Sequence, residues 1–182
     1  MMPKYLSILL LTTICFLSCV KDTDFDQVDD IVLNPVVEVN FIFFTLEIDD
    51  FQENPLIEGT LTAVDTTEIR FLDDDFAVDN IKTAEFFFRV TNTFPVGLDA
   101  NFTFLSEENE PFYEINFPIQ ISEDGSPVVT EFTQLITAED IELLTLNDKV
   151  IVTIVIQTED ENLEGVLNLQ SKTIYYLEFS DL

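Results

Sequence analysis

The sequence predicts an all-β protein: a single antiparallel β-sandwich of seven to nine strands, Ig-like in outline, with one short helix near residues 138–146. Three observations point there. Runs of β-branched and aromatic residues alternate inside to outside with period two and are separated by turn residues at sandwich-like spacing. Of the 18 phenylalanines, 17 follow Phe16, where they supply core bulk that Trp and Met usually share. Only one stretch reads with helical period.

The chain divides before the first strand. Met1 to Lys4 carries one positive charge and Tyr5 to Phe16 is an apolar run, followed by Leu17, Ser18 and Cys19. This is the layout of a secretory signal peptide over 1–18, and the run is well short of the roughly 20 residues a membrane-spanning helix needs. Removing residues 1–18 from the 182 leaves 164, enough for one domain with a real core. Lys21 to Asp30, with five aspartates and little to bury, makes 19–34 an acidic flexible tether and 35–182 the sandwich domain.

Cys19 sits at the seam. "FLSC" resembles the lipobox of bacterial lipoproteins, with Phe16 where Leu is commonest, as in relaxed lipoboxes of Bacteroidota. The resemblance implies diacylglycerol on the Cys19 sulfur and an outer-membrane location; the alternative is an ordinary signal peptide with an incidental cysteine. "CVKDTD" resembles the surface-export signal of the same lipoproteins, Lys21, Asp22 and Asp24 taking its places while Thr23 interrupts the acids. That implies display at the cell surface.

The elements follow in order. "VVEVNFIFFTLEI", Val36 to Ile48, alternates and then turns apolar on both faces, as a long strand with a bulge or a change of sheet would. "LIEGTLTAV" and "TTEIRFL" read as two short strands with Asp65 as the turn between them. In "EFFFRVTN", Phe86, Phe88 and Val90 face one way and Glu85, Arg89 and Thr91 the other; in "LDANFTF" the inward set is Leu98, Ala100, Phe102 and Phe104. The intervening "TFPVG" predicts a hairpin between them. The whole stretch "RVTNTFPVGLDANFTFL" resembles the hairpin of late-embryogenesis-abundant type β-sandwiches, a resemblance that bears on fold and implies no function.

"FYEINFPIQI" alternates Tyr113, Ile115, Phe117, Ile119 and Ile121 against Glu114, Asn116, Pro118 and Gln120. Pro118 cannot donate to a ladder, so it belongs at an edge or a bulge. "EDGSP" turns the chain into "VVTEFTQ". "TAEDIELLTL" has Thr137 and Asp140 at capping-box spacing and offers Ile141, Leu143 and Leu144 to the core. "DKVIVTIVIQT" is apolar on both faces and hence central, and "SKTIYYLEF" is the last strand.

Composition removes whole function classes. With no His in the chain and no Cys after Cys19, imidazole-based and thiol-based catalysis and His- or Cys-ligated zinc have no residues to use. The four glycines do not cluster into a phosphate-cradling loop. Lys plus Arg number 7 against 36 Asp plus Glu, and losing Lys4 takes the net charge from -29 to -30, which argues against nucleic acid as a partner.

Acidic loops are the remaining candidates for chemistry. Asp73, Asp75 and Asp79 are the best calcium ligand set, although the loop lacks EF-hand spacing; Glu107, Glu108, Glu110 and Glu159, Asp160, Glu161, Glu164 form two further clusters. All three also read as solvated loops. A carboxylate hydrolase needs a pair of acids about 5 to 10 Å apart, and no pair is marked. Sugar platforms would have to come from Tyr113, Tyr175 and Tyr176, the last two pointing to opposite faces. Arg70 and Arg89 are either anion recognisers or cross-strand partners of acids such as Glu68 and Glu85. "DTT" at Asp65 to Thr67 resembles the O-glycosylation acceptor of Bacteroidota secreted proteins, which would modify Thr66. The expectation is a noncatalytic protein of the outer membrane or cell surface, held by a lipid anchor and serving binding, adhesion or envelope assembly with a protein or glycan partner. Calcium-dependent binding and carboxylate hydrolysis are the alternatives, and calcium is the one cofactor implied.

Overall fold

A computed structural model describes residues 32–69, 79–141, 148–158, 160 and 162–179. Its strands are β1 Val36–Glu47, β2 Gln52–Glu53, β3 Thr60–Glu68, β4 Ile81–Asn92, β5 Leu98–Leu105, β6 Pro111–Ile119, β7 Val128–Ile136, β8 Lys149–Gln157 and β9 Val166–Leu177. They form a four-stranded sheet, β1-β9-β4-β7, and a five-stranded sheet, β2-β3-β8-β5-β6. Every strand pairing is antiparallel. The expected antiparallel β-sandwich is the fold.

The sheets meet through phenylalanine. Phe86 and Phe88 of β4 look across to Phe102 and Phe104 of β5, all of them buried, and the Phe88 and Phe102 rings lie 4.4 Å apart. Phe117 of β6 stacks on Phe132 of β7 at 4.6 Å and Phe41 of β1 leans on Phe86 at 5.1 Å, so rings from five strands form one cluster. Each such contact adds about 0.5–1.5 kcal/mol to the burial itself.

Position in the sheets follows local chemistry. β8, apolar on both faces, pairs with β3 on one side and β5 on the other, the central place its sequence requires. Pro118 lies on edge strand β6, where a missing N–H costs nothing. β1 carries the expected irregularity: its register against β9 slips between Asn40 and Phe43. The extra residue inverts the alternation, so Val37, Val39 and Phe41 pack inward before it, Phe44 and Leu46 after it, and Phe43 is turned out. A buried hydroxyl closes the gap. Ser171 Oγ accepts from the Ile42 N–H at 2.8 Å and donates to the Ile42 carbonyl at 2.9 Å.

Several sequence expectations need correction. "TFPVG" is not a hairpin: β4 and β5 belong to different sheets, and the segment is an arch between them. Alternation reports which way a side chain faces and is silent about which strand lies alongside, so facing strands across a sandwich give the same signal as paired ones. The arch is held by the buried Asn92, whose Oδ1 accepts from Phe94 N at 2.9 Å while its Nδ2 donates to Phe94 O at 3.2 Å and Gln120 O at 2.8 Å. Phe94 is fully buried and plugs the end of the core against Phe51, ring centroids 5.9 Å apart.

Asp65 is not a turn. β3 runs through it, paired with Val152 of β8, because nine consecutive residues find partners on that strand. Ile121 lies beyond the end of β6 and is exposed. β9 starts at Val166, five residues earlier than "SKTIYYLEF" suggests, and the two-residue β2 had no sequence signal. The helix expected near 138–146 lies largely outside the described residues. Within them, Ala138 to Asp140 form a turn and Ile141 is helical, while Thr137 Oγ1 donates to Asp140 Oδ2 at 3.3 Å. A pairing that the tether assignment did not anticipate joins Leu33 to Phe179 through two backbone hydrogen bonds of 3.0 and 2.8 Å. Among the described residues no helix is long and apolar enough to cross a membrane.

Candidate functional site

The two outer faces of the sandwich differ. On the four-stranded sheet the outward positions include Val36 and Phe43 on β1, Val166 on β9, and Val129 and Leu135 on β7, with exposures from 39% to 55%. On the five-stranded sheet the outward set includes Thr62, Thr66, Asp99, Asn101, Thr103 and Asn116, with Ile151 and Val155 of β8 partly buried among them and Val64 exposed. Five well-exposed large apolar side chains thus lie among polar ones on one face of a chain of net charge -29.

Its scarce cations gather there as well. The described basic residues are Lys82, Arg89, Lys149 and Lys172. Arg89 and Lys172 project from the middle of this face, and Lys82 stands at its end, 3.7 Å from Glu178. Lys172 Nζ donates to Glu38 Oε2 at 2.8 Å and lies 6.0 Å from the Phe87 ring centroid. Arg89 Nε is 3.9 Å from Glu131 Oε1, so its partner comes from β7 and neither Glu68 nor Glu85 fills that place. Glu85 instead accepts the Tyr176 hydroxyl at 3.1 Å; desolvation, the bond and the neighbouring carboxylate hold that hydroxyl above the ordinary tyrosine value.

The β1 bulge shapes this surface. A depression of about 200 Å³ is lined by Asn40, Phe43, Phe87, Arg89, Gln170, Ser171 and Lys172, where the slipped register parts β1 from β9. It presents two phenyl faces, two cations and two amides, a set suited to contact with a mixed apolar and polar surface. Sequence reading singled out Arg89 alone. The rest come from three strands spread between residues 40 and 172, and only the sheet order makes them neighbours.

The other sequence candidates are dispersed. Cys19, Arg70, Asp73 and Asp75 lie outside the described residues; Asp79 is exposed just before β4. Thr66 is exposed midway along β3, opposite Ile151, with its N–H donated to Asp65 Oδ1 at 2.8 Å. Glu107, Glu108 and Glu110 sit in a turn where Asn109 takes a φ of 64°, and Asp160 caps its own turn by accepting from Asn162 N at 2.9 Å. Among the described residues no group of three or more His, Cys, Asp or Glu is placed to hold a metal ion. Tyr175 is core and Tyr176 surface; burial pushes the Tyr175 hydroxyl up to about 12. Tyr113 is half-buried against Phe104, and desolvation, with Asp140 nearby, raises its hydroxyl too.

One cleft went unforeseen. About 230 Å³ opens where β1 and β3 border the two sheets, lined by Phe44, Leu46, Ala63, Val64, Val152 and Ile154, with Asp50 and Asp65. Each carboxylate is already tied to backbone, Asp50 to Glu47 N and Asp65 to Thr66 N, both at 2.8 Å. An inward charge on a strand with little pairing on its far side discourages edge-to-edge association.

No family model matches the chain, and no curated protein matches it. Among solved structures, the chain is similar to a presumed secreted protein from Parabacteroides distasonis ATCC 8503, with 20% identity and a TM-score of 0.46 over 64% of this chain and 38% of that one. A structure of infectious bursal disease virus Gt strain aligns at 10% identity and a TM-score of 0.48, covering 79% of this chain and 33% of that one. The enzymatically active domain of bacteriophage CBA120 tailspike protein 4 aligns at 8% identity and 0.37, covering 81% and 19%. The chain spans well under half the length of each.

Proposed function

We propose that this is a noncatalytic outer-membrane lipoprotein, anchored through Cys19 and displayed at the cell surface, that binds a partner through the outer face of its four-stranded sheet. The single observation that carries the binding role is the concentration there of exposed apolar side chains beside Arg89 and Lys172. Aromatic side chains and arginine, here Phe43, Phe87 and Arg89, are enriched at recognition surfaces.

The anchor reading rests on the "FLSC" seam and on charge. A surface this acidic is repelled by anionic lipid headgroups, so membrane attachment calls for a covalent chain. Buried acyl chains contribute about 0.8 kcal/mol per methylene, and two or more hold firmly. Mass spectrometry of the protein from its native envelope tests this: the expected amino terminus is a diacylglyceryl-modified Cys19, and Cys19→Ser abolishes acylation. A freely secreted, unacylated product refutes it. Protease shaving of intact cells then tests display, since a surface protein is cleaved and a periplasmic one is spared.

A further inference from the structure

We infer that the partner of the four-stranded face is a second copy of this chain, giving a two-fold dimer that packs these faces together. The inference rests on the binding-face reading above and names its occupant. Charge is the first argument. Two chains of net charge -29 repel over almost any pair of surfaces, and the least repulsive approach is through a face whose charges are already matched. Here Lys172 is matched by Glu38 and Arg89 by Glu131, while Glu85 is bonded to a tyrosine and Glu47 stands at the end of β1. Because the face carries both signs, its symmetric copy can also exchange partners, each cation meeting the other chain's acid. An acidic partner would find both cations already answered; a basic one would find better surfaces elsewhere on the molecule.

Area is the second argument. Four strands at about 4.8 Å spacing and about ten residues at 3.4 Å rise span on the order of 19 by 34 Å, roughly 650 Å². Stable two-chain interfaces bury about 600–1,000 Å² on each partner, so the face is large enough. Its chemistry also suits an isologous contact: a two-fold axis in the plane of the interface brings central residues near their own counterparts. Gln170 on β9, between Arg89 and Phe43 in the register, is such a residue.

The test uses the full processed chain in its own envelope. A photo-crosslinking amino acid replaces Gln170 in one strain and, as a control, Asn101 on the outer face of the five-stranded sheet in another. The expected result is a product of twice the chain's mass from position 170 and none from 101. Its yield should rise at least threefold when isolated membranes go from about 0.02 to about 0.5 M salt, because screening removes the repulsion between the two chains. Phe43→Asp combined with Leu135→Asp should cut the yield at least tenfold; both side chains are about half exposed, so melting of the purified variant should match the parent. A position-170 adduct of any other mass overturns the self-association and leaves the binding face standing. No adduct at all overturns both. A yield that falls with salt, or equal yields from 170 and 101, also refutes the dimer, while the acyl mass at Cys19 is decided separately.

Discussion

Replacing Asn92 should separate hydrogen bonding from packing at the crossover between the sheets. Asn92 is fully buried and makes three hydrogen bonds, and its loss orphans two groups unequally. The Phe94 carbonyl keeps its bond from Ser122 N at 3.0 Å, and Gln120 is exposed enough for water to reach its carbonyl. The Phe94 N–H, within a residue of zero exposure, has no such recourse. An unsatisfied buried donor costs about 1–3 kcal/mol and a replaced bond about 1 kcal/mol, so Asn92→Ala should lose roughly 2–4 kcal/mol. In a domain of this size that lowers the melting temperature by roughly 5–15 °C. Asn92→Asp adds a sign. It restores the acceptor for Phe94 N but sets a carboxylate against the Phe94 and Gln120 carbonyls, raising its folded pKa above the ordinary carboxylate value near 3.9. The penalty therefore shrinks as pH falls through that raised pKa, because the protonated acid donates where the amide did. Urea denaturation at several pH values should show the gap between Asn92→Asp and the parent narrowing on acidification and the Asn92→Ala gap staying constant. A loss below about 0.5 kcal/mol for Asn92→Ala, or parallel pH curves for the two variants, refutes the reasoning.

Ser171→Ala removes the hydroxyl that satisfies both polar groups of Ile42 at the bulge, and should lower the urea midpoint by the equivalent of about 1–3 kcal/mol with an unchanged slope. Gly165→Ala would place a methyl carbon 2.9 Å from Phe94 Cα and should cost about 1–3 kcal/mol, whereas Gly97→Ala meets nothing within 4 Å and should lie within about 0.5 kcal/mol of the parent; thermal melts compare them. In an absorbance titration, Tyr175 should ionise near 12. Its folded value is raised, so its contribution to stability is complete below pH 10 and declines as pH rises through the folded value of about 12, which denaturation at alkaline pH would show.

The sequence made burial legible wherever one residue's chemistry decides it. Two-sided apolarity put β8 in the middle of its sheet, a missing N–H limited Pro118 to an edge or a bulge, and the lost alternation in the first strand called for a bulge or a change of sheet, of which the edge and the bulge are found. Pairing was less legible. The same alternation suited a hairpin and an arch, and the choice between them rested on Asn92 reaching a carbonyl 28 residues away. Asp65 misled because acids favour turns, whereas pairing with β8 carries the chain straight through. The outer face proposed to bind a partner was hardest to see. Val36, Phe43, Leu135 and Val166 are unremarkable singly, and Arg89 finds Glu131 across a strand pairing that no local pattern encodes. A surface assembled by sheet order is invisible until that order is known.

The placement of β9 between β1 and β4 sets when the molecule can be finished. Residue 36 waits for residue 176, and until the last strand slots in, neither neighbour has anything to hold on that side. In a chain emerging from its amino terminus the five-stranded sheet can pair once β8 is out, whereas the four-stranded sheet, built on long-range pairings, closes only with the last strand.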